Sequence, residues 1–279
     1  MNPMPPPPDP LPSATTLDEV VATIDTVVDW SIGASSRLGY FAALYKRITV
    51  AVQTAVTEGA FEDGPRMERF DVAFANRYFD ALNGHFHSQR YPGATRSWWV
   101  AFEAANTARP ILLQHLVAGI TAHIALDLGI AAAEVSPGSA LWALRDDFNT
   151  INAVLAGQVN DVVGRVNQLS PTLSDLYAML GSGELFAING AVRAMRDSAW
   201  RFAVLLAQEP VIARDATIWI RDRRVAGQVV SVFDAPALNA LSQAVIREIA
   251  EWESRSIVHN IAVLDAIAAS PASPIQTTL

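Results

Sequence analysis

Apolar residues recur along this chain at intervals of three and four almost from end to end, the period of an amphipathic helix, and no stretch alternates with the period of two that marks a half-buried strand. Thr16 and Glu19 have capping-box spacing, and Leu17, Val20, Val21, Ile24, Val27 and Val28 follow, predicting a first helix to about Ser31. Ser35 or Ser36 caps a second helix with Leu38, Phe41, Tyr45, Ile48 and Val52 as its buried row, broken by the Gly59–Gly64 segment. A third helix buries Met67, Phe70, Phe74, Tyr78 and Ala81. Gly84–Ser97, with His85, His87, Tyr91, Pro92 and Gly93, reads as a long loop and a candidate lid. A short helix from Trp98 ends before Pro110.

Pro110–Ala133 is apolar or small on every side except at Gln114, His115, Thr121, His123 and Asp127. A helix hydrophobic all round is buried all round, so this is the expected central helix. Its length would suit a membrane span, but two histidines and an aspartate near the middle would be costly in lipid, so a bundle core is the expected setting. After the turn at Pro137-Gly138, a helix over Ala140–Leu169 carries Leu144, Phe148, Ile151, Leu155, Val159, Val162 and Val166 on one side. Pro171 starts a short helix ended by Gly181 and Gly183, and Glu184–Gln208 is another long one. Pro210 and the charged Arg221-Asp222-Arg223-Arg224 segment separate it from a helical or mixed region ending near Pro236, and a last helix spans Ala237–Ala268. The expectation is all-α: a single bundle of about nine helices over residues 16–269, with a disordered Pro-rich leader (1–15) and a flexible tail (270–279).

Composition narrows the function classes. A net charge of −8 argues against a nucleic-acid or anionic-membrane partner, because no basic stripe is evident that would supply phosphate affinity. Without cysteine there can be no disulfide, Fe–S cluster or thiolate zinc site, and no oxidising compartment is required, so the cytoplasm is the expected location. The Pro-rich N-terminus lacks the basic and apolar regions of a secretory signal.

Candidate chemistry comes from helix-face arithmetic. His123 and Asp127, four apart, stand on adjacent turns of one face. His115 lies two turns earlier, roughly 12 Å along the axis, where it could touch the far end of a substrate. Gly119, midway, would open space or admit another backbone, and a cavity is expected there. Asp71, Asp147, Arg196 and His259 fall at the inner edges of their helices, whereas Asp197, with Arg193 and Arg201 four residues either side, suggests a surface ladder of ion pairs.

The runs LQHLVAGITAHIALDLGIAAAE, MERFDVAFANRYFDAL, LRDDFNTINAVL and RAMRDSAWRFAVLLA resemble an uncharacterised helical family common in actinobacteria and catalogued only as a domain of unknown function. The resemblance covers most of the chain after the leader and implies a fold but no activity; where that family often has Asn after Ile124, this chain has Ala125. Gly119–Asp127 alone is also similar to the HxxxD helix of zinc-dependent phospholipases C, which implies His123 and Asp127 as metal ligands. Five histidines in the whole chain are too few for a trinuclear site of that kind.

Three functional readings follow. In the first, a metal-free enzyme acts on a small hydrophobic molecule in a pocket lined by Trp98, Trp99 and Phe102. His123 is the acid or base, Asp127 or Asp71 orients it, Arg196 stabilises negative charge, and His115, Asp147 and His259 contact substrate. Cyclisation, isomerisation, dehydration or hydrolysis would suit such a site. In the second, one divalent ion, zinc or iron, is held by His123, Asp127, His259 and Asp71 or Asp147, making a hydrolase or oxygenase. In the third, the same pocket binds an apolar ligand without turnover, and a homodimer is compatible with any of the three. The plain structural alternative is a satisfied network pairing Arg196 with Asp147 and His123 with Asp71.

Overall fold

Eleven α-helices and no strand occur among the described residues of the computed structural model, which are 9–107, 110–173, 184–233 and 240–266, excluding the side chains of 184–187 and 240–243. They are α1 (Leu17–Gly33), α2 (Leu38–Thr57), α3 (Gly64–Phe86), α4 (Arg96–Ala105), α5 (Leu112–Ala122), α6 (Leu128–Val135), α7 (Arg145–Leu169), α8 (Glu184–Gln208), α9 (Val211–Phe233), α10 (Ala240–Trp252) and α11 (Ile257–Asp265). The fold is all-α.

The central rod is α5, a π-helical turn over His123–Asp127, and α6, a continuous 24-residue helical stretch (Leu112–Val135) of mean hydropathy 1.8 in its most apolar window. By length it could cross a membrane, yet 83% of that window is buried by the other helices, as expected of a core helix. α5 packs against α2, α4 and α9, and α6 packs against α3 and α8. Close approach sets both contacts. A Cβ on Gly119 would lie 2.4 Å from the Phe41 ring, and one on Gly129 would lie 2.7 Å from the Ala199 carbonyl oxygen of α8. The space expected at Gly119 is therefore filled by Phe41.

Carboxylates on distant segments anchor the entries to three helices. Asp147 accepts from the backbone N–H groups of Glu62 and Asp63 at 2.7 and 3.0 Å, at the entry to α3, and from Arg66 Nη2 at 2.8 Å. Asp222 accepts from Arg96 N at 2.7 Å and from Ser97 N and Oγ at 2.9 and 2.7 Å, at the start of α4. Glu253 accepts from Leu112 N at 2.9 Å, at the start of α5. Asp222 and Glu253 meet unsatisfied first-turn N–H groups at the positive end of a helix, whereas Asp147 meets the N–H groups just ahead of α3, which Asp63 caps; these bonds offset the cost of burying each anion.

Several boundaries depart from expectation. The Arg221–Arg224 segment is no break; it lies within α9, and its Asp222 points inward. α3 continues to Phe86, so the loop is only residues 87–95, and it folds back on α3, where a Cβ on Gly84 would meet the Pro92 carbonyl oxygen at 2.3 Å. The last helix is two, interrupted between Trp252 and Ile257. The second half of the leader is docked: Asn83 and Asn76 of α3 exchange paired hydrogen bonds with the backbone of Leu11 and Ala14 at 2.8–2.9 Å. Leader residues 1–8, most of the Pro171–Gly183 helix, the Pro236 boundary and the 270–279 tail lie outside the described residues.

Candidate active site in the π turn

The α5–α6 rod changes its hydrogen bonding at the residues singled out for chemistry. The Leu128 N–H reaches back five residues to the His123 carbonyl, where an α-helix would use Ile124. Single π turns of this kind frequently mark functional positions. Across this turn His123 Nδ1 and Asp127 Oδ2 are 3.1 Å apart, and both side chains are buried, at 2% and 1% exposure.

Two further groups fix Asp127. Trp98 Nε1 of α4 donates to Oδ2 at 2.7 Å, and Arg77 Nε of α3 lies 3.6 Å from Oδ1. With Nδ1–H committed to the carboxylate, the neutral imidazole presents Nε2 as an acceptor. That atom is buried with no hydrogen-bond partner. Burial pushes the imidazole pKa down, opposed by Asp127 and assisted by Arg77, so His123 is neutral near pH 7.

An aromatic wall encloses the ring. Phe74 stacks on it at 3.6 Å between centroids and 8° between planes, and Tyr45 meets it edge-on at 4.7 Å. Phe41 and Trp98 complete the wall at 5.9 and 5.7 Å, and Phe102 stacks behind Trp98 at 5.0 Å. These positions follow from the row Phe41-Tyr45 on α2 facing the row Phe74-Tyr78 on α3.

A second buried charge lies one helical turn along α3 from Phe74. Asp71 has an Oδ2 without a partner, and burial pushes its pKa up to about 7, partly opposed by Arg196. Arg196, itself lowered to about 10 by burial, spans from Asn152 Oδ1 (2.9 Å) to the Phe148 carbonyl (2.6 Å) with its guanidinium over the Phe148 ring. Tyr45 links the two halves: burial first, then the charges of Asp71 and Asp127, hold its hydroxyl protonated.

The expected site is thus assembled in part. His123, Asp127, Trp98 and Phe102 come together, and the charges of Asp71 and Arg196 act on each other without a direct bond between them. His123 bonds to Asp127 rather than Asp71, and Arg196 does not pair with Asp147, whose carboxylate holds the segment entering α3 and Arg66. Trp99 is turned outward at 41% exposure beneath Arg96, so it lines no pocket. His115 is buried apart, between Tyr40 and Phe233, with its pKa lowered to about 3, chiefly by burial. His259 is exposed. The break before Ser256 resets the helix phase, so Asn260, Ile261 and Leu264 are the buried residues of α11. With His259 outside and Asp147 engaged, the four ligands of the metal alternative are not brought together, and no group of three His, Asp or Glu with metal-binding spacing occurs among the described residues. Sequence reasoning missed Trp98 as a hydrogen-bond donor, and it missed Arg77 and Tyr45. The signal available for Tyr45 was its place in an aromatic row opposite the Phe74 row.

A family model described as a family of unknown function (DUF5995) matches residues 17–234. The chain belongs to that family. In this DUF5995 member the match runs from α1 to the end of α9 and contains the whole polar centre, whereas α10 and α11 follow it. No curated protein and no solved structure matches the chain.

Proposed function

We propose that this protein is an enzyme catalysing proton transfer on a small apolar molecule, with His123 Nε2 as the general base and Asp127 holding the imidazole in the required tautomer. The observation that carries this reading is the unpartnered, buried Nε2 of a neutral histidine whose other nitrogen is fixed by a carboxylate. Trp98 and Arg77 orient the carboxylate. Tyr45 and Asp71, both kept protonated more readily than usual by burial, are the nearby proton donors. Substrate reaches Nε2 when the Phe74–Tyr45 wall parts, and a wall of aromatic rings selects apolar molecules. Isomerisation, dehydration, cyclisation or ester hydrolysis each need a base so placed.

The close packing around the ring favours a second reading, in which His123–Asp127–Trp98 is a structural lock holding α4 to the rod. The two are separated by incubating an apolar metabolite extract with the full chain and with His123→Gln, and following compounds consumed or formed by mass spectrometry. The enzyme reading expects at least one conversion lost in the variant while its circular dichroism is unchanged. No conversion by the unaltered chain across such extracts, or equal conversion by both, leaves the structural lock.

A further inference from the structure

The outer seam of the α8–α9 hairpin concentrates positive charge in a chain whose net charge is −8. Arg221 of α9 is half-buried: its Nη2 donates to Ser198 Oγ of α8 at 3.0 Å and its Nε to the Ala125 carbonyl of the π turn at 2.9 Å, so it ties both helices to the central rod. Arg201 stands one turn from Ser198 toward the connection of the helices and Arg224 one turn from Arg221 away from it, and both are near enough for their charges to act on the Arg221 guanidinium. None of the three has a carboxylate within ion-pair distance among the described residues, and the ladder expected around Asp197 does not form. Like charges crowded together without counter-ions are unfavourable unless an anion arrives. The seam's acids are exposed Asp215, half-buried Asp197, and Glu209, which accepts from Thr217 at 2.9 Å.

The same seam exposes apolar side chains. At the turn between the helices Val211 and Ile212 are 77% and 94% exposed, and along α9 Trp219 and Ile220 are 59% and 57% exposed. Ile220 and Arg224 are one turn apart, and Arg223 stands over the Trp219 ring at 5.0 Å. Along the exposed face of α9, Ile212, Trp219 and Ile220 stand beside Arg223 and Arg224, with Asp215 also on that face, so apolar side chains and arginines are mixed as on a helix lying in the plane of a membrane interface. Overall acidity does not forbid this, because charges more than about 8 Å apart are screened at physiological salt and a membrane senses the local cluster.

We propose that the α8–α9 hairpin is a peripheral docking surface for an anionic lipid bilayer, with Ile212, Trp219 and Ile220 entering the interface and Arg201, Arg223 and Arg224 binding lipid phosphates. A second copy of the chain is the less suited occupant, since a two-fold interface centred on the seam would face arginine clusters toward each other.

The test is co-sedimentation of the full chain with vesicles of phosphatidylcholine alone and with about one quarter phosphatidylserine, at low and physiological salt. Expected is binding that requires the anionic lipid, weakens with salt, and falls about fivefold for each of Arg201→Ala, Arg223→Ala and Arg224→Ala. Trp219 fluorescence shifts to the blue on binding, and Ile212→Ser weakens binding at constant charge. Equal binding to neutral vesicles, or none to either, overturns the proposal. Concentration-dependent dimerisation abolished by the same substitutions, without vesicle binding, replaces it with a self-association surface. Inorganic phosphate bound by the arginines with no vesicle binding replaces it with a soluble-anion site.

Discussion

Asp71 gives the sharpest quantitative test, because its burial leaves it a carboxyl group that resists ionising. Its pKa rises from 3.8 to about 7 in the folded protein. Between those values the folded chain holds a proton that the unfolded chain has released, so stability falls as pH rises, at about 1.4 kcal/mol per pH unit. The full effect, reached above pH 7, is about 4 kcal/mol, and it vanishes below the unfolded value. Asp71→Asn removes the titration while keeping nearly the same shape. The variant is therefore expected to gain about 4 kcal/mol relative to the parent between pH 4 and pH 8, whatever constant offset its amide introduces. Urea denaturation of both proteins at a series of pH values measures this difference, and subtraction removes titrations common to both. His115 and His123, whose pKa values are lowered, act in the opposite direction as pH falls below 6.5, but they are present in both proteins and cancel. A stability difference that stays flat from pH 4 to pH 8 would refute the reasoning, since it would mean that Asp71 ionises at its ordinary pH.

Trp98→Phe keeps an aromatic ring against Phe102 but removes the donor to Asp127, a charged, buried hydrogen bond of the kind that contributes about 2 kcal/mol. A fall in Tm of about 4–8 °C is expected, with a coupling near that energy in a double-mutant cycle with Asp127→Asn; no coupling would show that Trp98 only packs. Asp222→Ala uncaps α4 and strands the buried Ser97 hydroxyl, costing about 2–4 kcal/mol, and hydrogen exchange at Arg96 and Ser97 should quicken ahead of the rest of the fold.

What the sequence made legible follows from how far helical phase can be carried. Asp71, Asp147 and Arg196 were placed inward correctly because each lies on an uninterrupted helix with its apolar row on both sides. His259 failed because a four-residue interruption before it, residues 253–256, was invisible in the helical periodicity. Asp222 was hidden by its arginine neighbours, although Val225 and Val229, three and seven residues on, share its face and could have revealed it. The partners of these groups were harder still. Nothing in a periodicity says that Trp98 meets Asp127, 29 residues away, or that Asp147 holds the backbone of Glu62, 85 positions earlier. Such pairings belong to tertiary packing, and single-chain patterning carries only the fact that each group leans inward.

The π turn has a consequence for how the central rod could have arisen and how it would tolerate change. One residue more per turn than an α-helix amounts to a single-residue insertion, which rotates everything downstream by roughly 100° about the axis. That rotation lets one straight rod serve two different sets of neighbours, α2, α4 and α9 before the insertion and α3 and α8 after it. Deleting Ala125 would restore α-helical winding and swing the small face at Gly129 away from α8, so the length of this segment is constrained even where its side chains are interchangeable. In this member of the family the deletion would be read by the core as a frame error, whereas a one-residue change in the loop over residues 87–95 would be absorbed locally.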